Sequence, residues 1–192
     1  MYPLTLNLNG IAELNDDELF RLCQSNRALH IERNPAGELV FMSPTSGRTS
    51  RRNSRIVSRL DSWNERTGLG VVCDSSGGFS LPNGAIRAPD AAWIRRERWE
   101  HLTDEELDSF LPLCPDFVVE LMSKSDRLIP LQEKMEEWME NGCRLGWLID
   151  PEREEVHIYR QNGQRETIRG FDQILSGEEI LPEFVLQLVE LR

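Results

Sequence analysis

Two acids stand where acids are costly. Asp90 lies in IRAPDAAWI and Glu120 in PDFVVELMS, each inside an otherwise apolar stretch that reads as a β-strand. A carboxylate there must be paired, protonated or bound to a cation. On neighbouring strands the two would cage a hard divalent cation such as Mg2+, which takes oxygen ligands and keeps several waters. A cation so held polarises a phosphoryl oxygen and lowers the pKa of a bound water. The competing reading puts both acids at strand ends, reaching solvent. Asp116 forms a second Pro-Asp pair with Pro115, four residues before Glu120. At ~3.3 Å per strand residue that is about 13 Å, too far to share one small cation, and a strand-entry role suits Asp116 better.

Lysine chemistry has only two candidates, Lys124 and Lys134. Lys134 lies in LQEKMEEWMENG, which reads as a helix. At ~100° per residue Leu131, Met135, Trp138 and Met139 form one apolar stripe, and Glu133, Glu136, Glu137 and Glu140 lie on the far side. Lys134 falls on the shoulder of the stripe, from which a lysine can snorkel over the packed face toward a sheet. The alternative is a surface lysine paired with Glu137. A third feature is the row Arg48, Arg51, Arg52, Arg55 and Arg59, within an arc of roughly 100° on one helix and beside Ile56, Leu60 and Trp63. Such a row suits phosphate contacts. It equally suits a solvated face neutralised by acids of the chain or of a partner subunit.

The elements that must position these residues follow from periodicity and turn signals. Asp16–Leu29 reads as a short helix capped by Asn15 or Asp16, and His30–Met42 as a hairpin turning at NPAG. Thr49–Arg66 reads as a longer helix ended by Gly68. Gly70–Leu81 is β-like with a break at Ser75–Gly78. Ile86–Arg95 and Asp116–Met122 read as strands, with a short helix from Thr103 between them. Leu128–Gly142 is a helix, Leu145–Ile149 and Val156–Arg160 are strands, and Phe171–Arg192 is loop plus a short apolar segment. The order predicts a mixed α/β domain with helices packed on a central sheet.

Composition bounds the function. The 192 residues, 39% hydrophobic and 29% charged, suit one soluble domain. No apolar run reaches the ~18 residues of a membrane span, and the N-terminus has no secretory pattern, so a cytoplasmic location is expected. Cys23, Cys73, Cys114 and Cys143 form no metal-binding or redox pair, and the three histidines have no zinc-site spacing. There is no phosphate-binding G-x-x-x-x-G-K-[ST], no G-x-S-x-G and no G-x-G-x-x-G after a strand. The net charge of −11 argues against nonspecific coating of nucleic acid. Its distribution is uneven, because residues 45–98 hold ten arginines against five acids while residues 99–155 hold sixteen acids against five bases. That polarity leaves room for an anionic ligand on one side only.

Strand-Pro-Asp, then strand-Glu, then a helix resembles the PD-(D/E)XK nuclease superfamily. More closely, the chain resembles the restriction endonuclease family called Uma-two. The likeness runs through IERNPAGELVFMSPTSG, LGVVCDSSGGFSLPNGAIRAPDAAWI, CPDFVVELMSKSD, LQEKMEEWMENGCRLGWLIDP and SGEEILPEF, nearly the whole chain. It implies a restriction-endonuclease-like core at 45–160, with an N-terminal helix and hairpin (1–44) and a C-terminal extension (161–192). It implies Mg2+-dependent hydrolysis of DNA phosphodiesters, with Mn2+ as a substitute, and Asp90, Glu120 and the Leu121 carbonyl as metal ligands. The superfamily's lysine follows the acid by two residues, where this chain has Met122. Family members move it to the following helix, where Lys134 matches, and Lys124 looks incidental. Glu32 matches a family acid in the hairpin and stands as a third acid. Ser76 and Asp150 also match, although turn and strand-end roles suffice for them. The arginine row is then expected to contact DNA backbone, and a homodimer is expected because a C2 pair would set two sites on two strands. The alternative is a nuclease-fold DNA-binding or assembly module without useful catalysis.

Overall fold

The computed structural model describes residues 4–8 and 10–192. In chain order its elements are β1 (Leu4–Leu6), α1 (Asp16–Ser25), β2 (His30–Arg33), β3 (Leu39–Met42), α2 (Gly47–Thr67), β4 (Gly70–Asp74), β5 (Phe79–Ser80), β6 (Ile86–Arg87), β7 (Ala91–Arg95), α3 (Arg96–Trp99), α4 (Asp104–Leu107), β8 (Phe117–Leu121), α5 (Leu128–Glu140), β9 (Leu145–Asp150), β10 (Glu155–Arg160), β11 (Arg165–Arg169), β12 (Ile174–Ser176) and β13 (Val185–Gln187), followed by a 3-10 turn at Leu188–Leu191. The architecture is the predicted mixed α/β domain. A central sheet runs in the order β11-β10-β9-β8-β7-β4, antiparallel except for β8 and β9, which α5 joins as a parallel crossover. A smaller sheet, β1-β3-β2-β6-β5, carries the N-terminal hairpin.

Side-chain alternation along the central strands builds two cores. Phe117, Val119 and Leu121 of β8 face α2 and the C-terminal segment, together with Ile56, Leu60, Trp63, Trp147 and Phe184. Val118 and Met122 face α5, together with Met135, Trp138, Met139 and Leu148. The apolar stripe read on α5 is therefore the buried one. Its seat is Gly146 of β9, where a Cβ would run into the Met135 methyl, so the missing side chain lets α5 lie close on the sheet. Pro130 in the first turn of α5 costs no helix hydrogen bond, because that N–H would have no partner anyway. Helix α2 begins at Gly47 rather than Thr49, because Ser46 caps it by accepting from the Thr49 N–H at 3.3 Å. It ends as expected at Gly68, whose φ of 63° is a conformation glycine adopts without strain.

Three expectations need correction. Ile86–Arg95 is not one strand: β6 pairs with β5 and β2 in the smaller sheet, and β7 pairs with β4 and β8 in the central one. Ala88–Asp90 crosses between them, and Pro89, lacking an N–H, cannot extend a ladder. The expected core boundary at 160 also shifts, since β11 adds to the central sheet beside β10. Finally, residues 171–191 are more than a loop. Strands β12 and β13 pair with each other, and Phe171, Leu175, Phe184 and Leu188 are buried in the α2-side core.

Candidate active site

The break at Pro89 sets up the site. Strands β7 and β8 pair up to Ala91↔Val119, so the next step of the register would set Asp90 opposite Glu120. The ladder stops there, and the Asp90 side chain fills the gap. Its Oδ2 accepts from the Leu121 N–H at 2.7 Å, and its Oδ1 accepts from the Asn53 amide of α2 at 2.5 Å. Glu120 points to the α5 face. There its Oε1 accepts from the Trp138 indole N–H at 2.9 Å and lies 2.9 Å from Lys134 Nζ.

The third acid arrives from the hairpin. Glu32 Oε1 lies 2.8 Å from Lys134 Nζ and accepts from the Ala88 N–H at 3.0 Å. Glu32 Oε2 accepts from Arg87 at 2.9 Å, and Arg87 Nε continues to Glu137 at 2.6 Å. Glu137 also accepts from Asn83 Nδ2 at 3.0 Å. Lys134 therefore reaches over the packed face to the sheet, as its shoulder position allows, and Glu137 pairs with Arg87 instead. Asp90, Glu120, Lys134, Glu32 and Leu121 all line one cleft of about 1190 Å3 between the hairpin and α5.

Electrostatics inside this cluster are strong because its members are largely dry. Burial pushes the Glu120 carboxyl up to about 7; Lys134 pulls it back, while Asp90 and Glu32 push it further up. Burial also raises Asp90, opposed by the N–H donors of Leu121 and Asn53. Burial acts to raise Glu32 as well, but Lys134 and Arg87 outweigh it and hold that carboxyl below its ordinary value. For Lys134 burial disfavours the charge, yet Glu120 and Glu32 keep its ammonium well above the usual lysine range. Lys134 is thus held as a cation by the two acids beside it.

The donor set suits a divalent cation. Four carboxylates (Glu32, Asp90, Glu120 and Glu137) face the two cations Lys134 and Arg87, which leaves negative charge in excess. No hydrogen bond among the described residues occupies Glu120 Oε2, and the buried pair Asp90 and Glu120 is oxygen-only, the preference of Mg2+.

One consequence concerns stability without a divalent ion. Between the ordinary glutamate value of 4.5 and about 7, folded Glu120 keeps a proton that the unfolded chain has lost. Stability from this group is complete below 4.5 and is lost as pH rises through 7. Glu120→Gln, which cannot ionise, should therefore lose less stability than wild type as pH rises from 4.5 to 8. Urea denaturation in EDTA at the two pH values measures it, and an equal deficit of the variant at both would contradict it.

The other expected residues stand elsewhere. The arginine row does not offer five unengaged guanidinium groups, because the C-terminal segment packs along that flank of α2. Arg51 donates to the Arg192 carbonyl and buried Arg52 to the Leu191 carbonyl, both at 2.5 Å. Arg59 forms a two-pronged pair with Glu190 at 2.8 and 2.9 Å, and Arg55 lies 3.6 Å from the same acid. Arg48 is exposed. Lys124 is also exposed and lies 3.5 Å from Glu152. Asp116 is buried at the entry of β8, where it accepts from the Arg95 N–H at 2.9 Å and pairs with Arg98. Ser76 bonds Asp74 in a turn, and Asp150 accepts the N–H groups of Glu152 and Arg153.

Sequence reasoning missed Asn53, Arg87 and Trp138 as members of the site. Trp138 carried a readable signal: it stands one helical turn after Lys134, and a buried indole needs an acceptor. Arg87, three residues before Asp90, had a weaker one. Asn53 had none, since only the fold brings α2 to the start of β7.

A family model described as "Uma2: Putative restriction endonuclease" matches residues 16–189. No curated protein matches the chain. Among solved structures, a "putative nuclease belonging to DUF820" from Anabaena variabilis superposes with a TM-score of 0.76. It covers 93% of this chain and 97% of its own at 19% identity, a likeness of fold.

Proposed function

Because the chain belongs to the Uma2 restriction endonuclease family, we propose that its acid–lysine cluster hydrolyses the phosphodiester bonds of DNA with Mg2+, or Mn2+ in its place. The observation that carries the reading is Lys134 Nζ, held at 2.8 and 2.9 Å by two acids beside Asp90 at the floor of a cleft. Asp90, Glu120 and the Leu121 carbonyl are the groups to hold the cation. When bound, such a cation polarises a phosphoryl oxygen and supplies an activated water. Trp138 fixes the orientation of Glu120 through Oε1, which leaves Oε2 for the ion. Asn53 and the Leu121 N–H fix Asp90. Lys134 aims a permanent positive charge at the place where a phosphoryl group gains negative charge, in a site too dry for water to screen it. Glu32 and Arg87 keep that lysine in place.

Net acidity and the displaced lysine favour a second reading, a DNA-binding or assembly module on the same fold. Incubation with a panel of DNA and RNA substrates, with Mg2+, with Mn2+ and with EDTA, separates the two. Cation-dependent cleavage of DNA supports the first reading. Intact substrates in every condition leave the second. The proposal includes a homodimer, the commonest assembly of soluble chains. Light scattering should give twice the 22.2 kDa chain mass, and a monomer would contradict it.

A further inference from the structure

We propose that the DNA strand entering this site is unpaired, so that the cleft takes a single-stranded or looped-out segment and excludes a continuous duplex. The inference rests on the nuclease reading of the cleft floor.

The reacting groups lie deep. The Glu32 and Glu120 side chains are 3% and 5% exposed and that of Lys134 is 10%, so a phosphodiester must enter the cleft to touch them. At about 1190 Å3 the cleft is close to the ~300–1,000 Å3 of small-ligand pockets. Its walls lack what a duplex needs. Duplex affinity comes mainly from Lys and Arg neutralising closely spaced phosphates. Here the floor cation Arg87 is already committed to two acids, Lys134 is a single charge at the bottom of the cleft, and the rim along α5 carries exposed Glu133 and Glu140. A second phosphate strand laid along α5 would meet exposed Glu133 and Glu140.

The cleft offers apolar surface instead. Val40, Met42 and Pro44 line the hairpin side, and Pro130 and Leu131 line the helix side. Such side chains gain contact from the faces of bases, which are open only in unpaired nucleotides. A single strand also carries half the axial charge density of a duplex past the acids of the rim.

The test presents one labelled strand in three forms: alone, in a perfect duplex, and in a duplex with a looped-out run of thymines. Single-turnover cleavage with Mn2+ should favour the single strand and the loop at least 10-fold over the perfect duplex, with cuts inside the loop. Equal or faster cutting of the duplex overturns the inference. Binding is read separately by fluorescence anisotropy with Glu120→Gln, which should hold the single strand at least 10-fold more tightly; equal affinities overturn the inference. Absence of cleavage in all three forms, with the binding preference intact, refutes catalysis and leaves the cleft assignment supported. The double variant Glu133→Lys, Glu140→Lys, with its fold checked by circular dichroism, should narrow the gap by raising duplex affinity. An unchanged gap would contradict the role given to the rim.

Discussion

Replacing Lys134 by alanine is expected to slow DNA cleavage by about 10²–10³, the scale for losing one preorganised charge aimed at a transition state. Lys134 Nζ touches Glu32, Glu120 and, at 3.4 Å, the Ala88 carbonyl, and among the described residues no other cation bridges the two acids. Arg87, the nearest alternative, is held by Glu32 and Glu137. The substitution also leaves two buried carboxylates without their shared partner. Breaking a buried ion pair costs roughly 3–5 kcal/mol, so the variant should denature at lower urea above pH 7. Affinity for the divalent cation should persist or tighten, since the lysine is not a ligand and its charge repels the ion. The three readouts together separate a lysine that acts on the phosphate from one that only holds the fold. Lys124→Ala should alter none of them, because Lys124 is 72% exposed and its ion-pair partner is Glu152. Full activity in Lys134→Ala would place the catalytic cation elsewhere.

Asp90→Ala is expected to lower Mg2+ or Mn2+ affinity by more than about 100-fold, beyond the 10–100-fold typical of losing an outer-shell partner. Asp90 bridges the start of β7 to both β8 and α2. Without it the Leu121 N–H and the Asn53 amide lose their acceptor, and Glu120 loses the second charge of an anionic pair. Isothermal titration with Mn2+ measures the effect. Wild type should bind at one site per chain, and equal binding by the variant would remove Asp90 from the metal site.

Much of this geometry was written locally. The α5 stripe and its shoulder lysine follow from a 100° period, which holds because Gly146 and the buried methionines fix which side of the helix is inside. Gly68 ended α2 by backbone preference alone. Asp90 and Glu120 stood out because isolated acids in apolar runs demand partners. Glu32 came only from family resemblance, since HIER by itself looks like any exposed hairpin strand. What stayed hidden is non-local. Arg59 meets Glu190 across 131 residues of chain, and no local pattern shows that the C-terminal turn will lie along α2. Strands β6 and β7 read as one because the run is apolar apart from Arg87 and Asp90; only Pro89 marks the place where the chain changes sheets.

The central claim is that Asp90, Glu120 and Lys134 form one hydrolytic site that depends on a divalent cation. Its most direct test is a time course of cutting a labelled single-stranded DNA under a Mn2+ titration. Wild type, Asp90→Ala, Glu120→Gln and Lys134→Ala are run side by side, each shown to be folded by circular dichroism. The account predicts saturable cation-dependent cutting by wild type, its loss in EDTA, and a fall of at least 10² in each variant. Cutting in EDTA, or wild-type rates in Asp90→Ala, would contradict it.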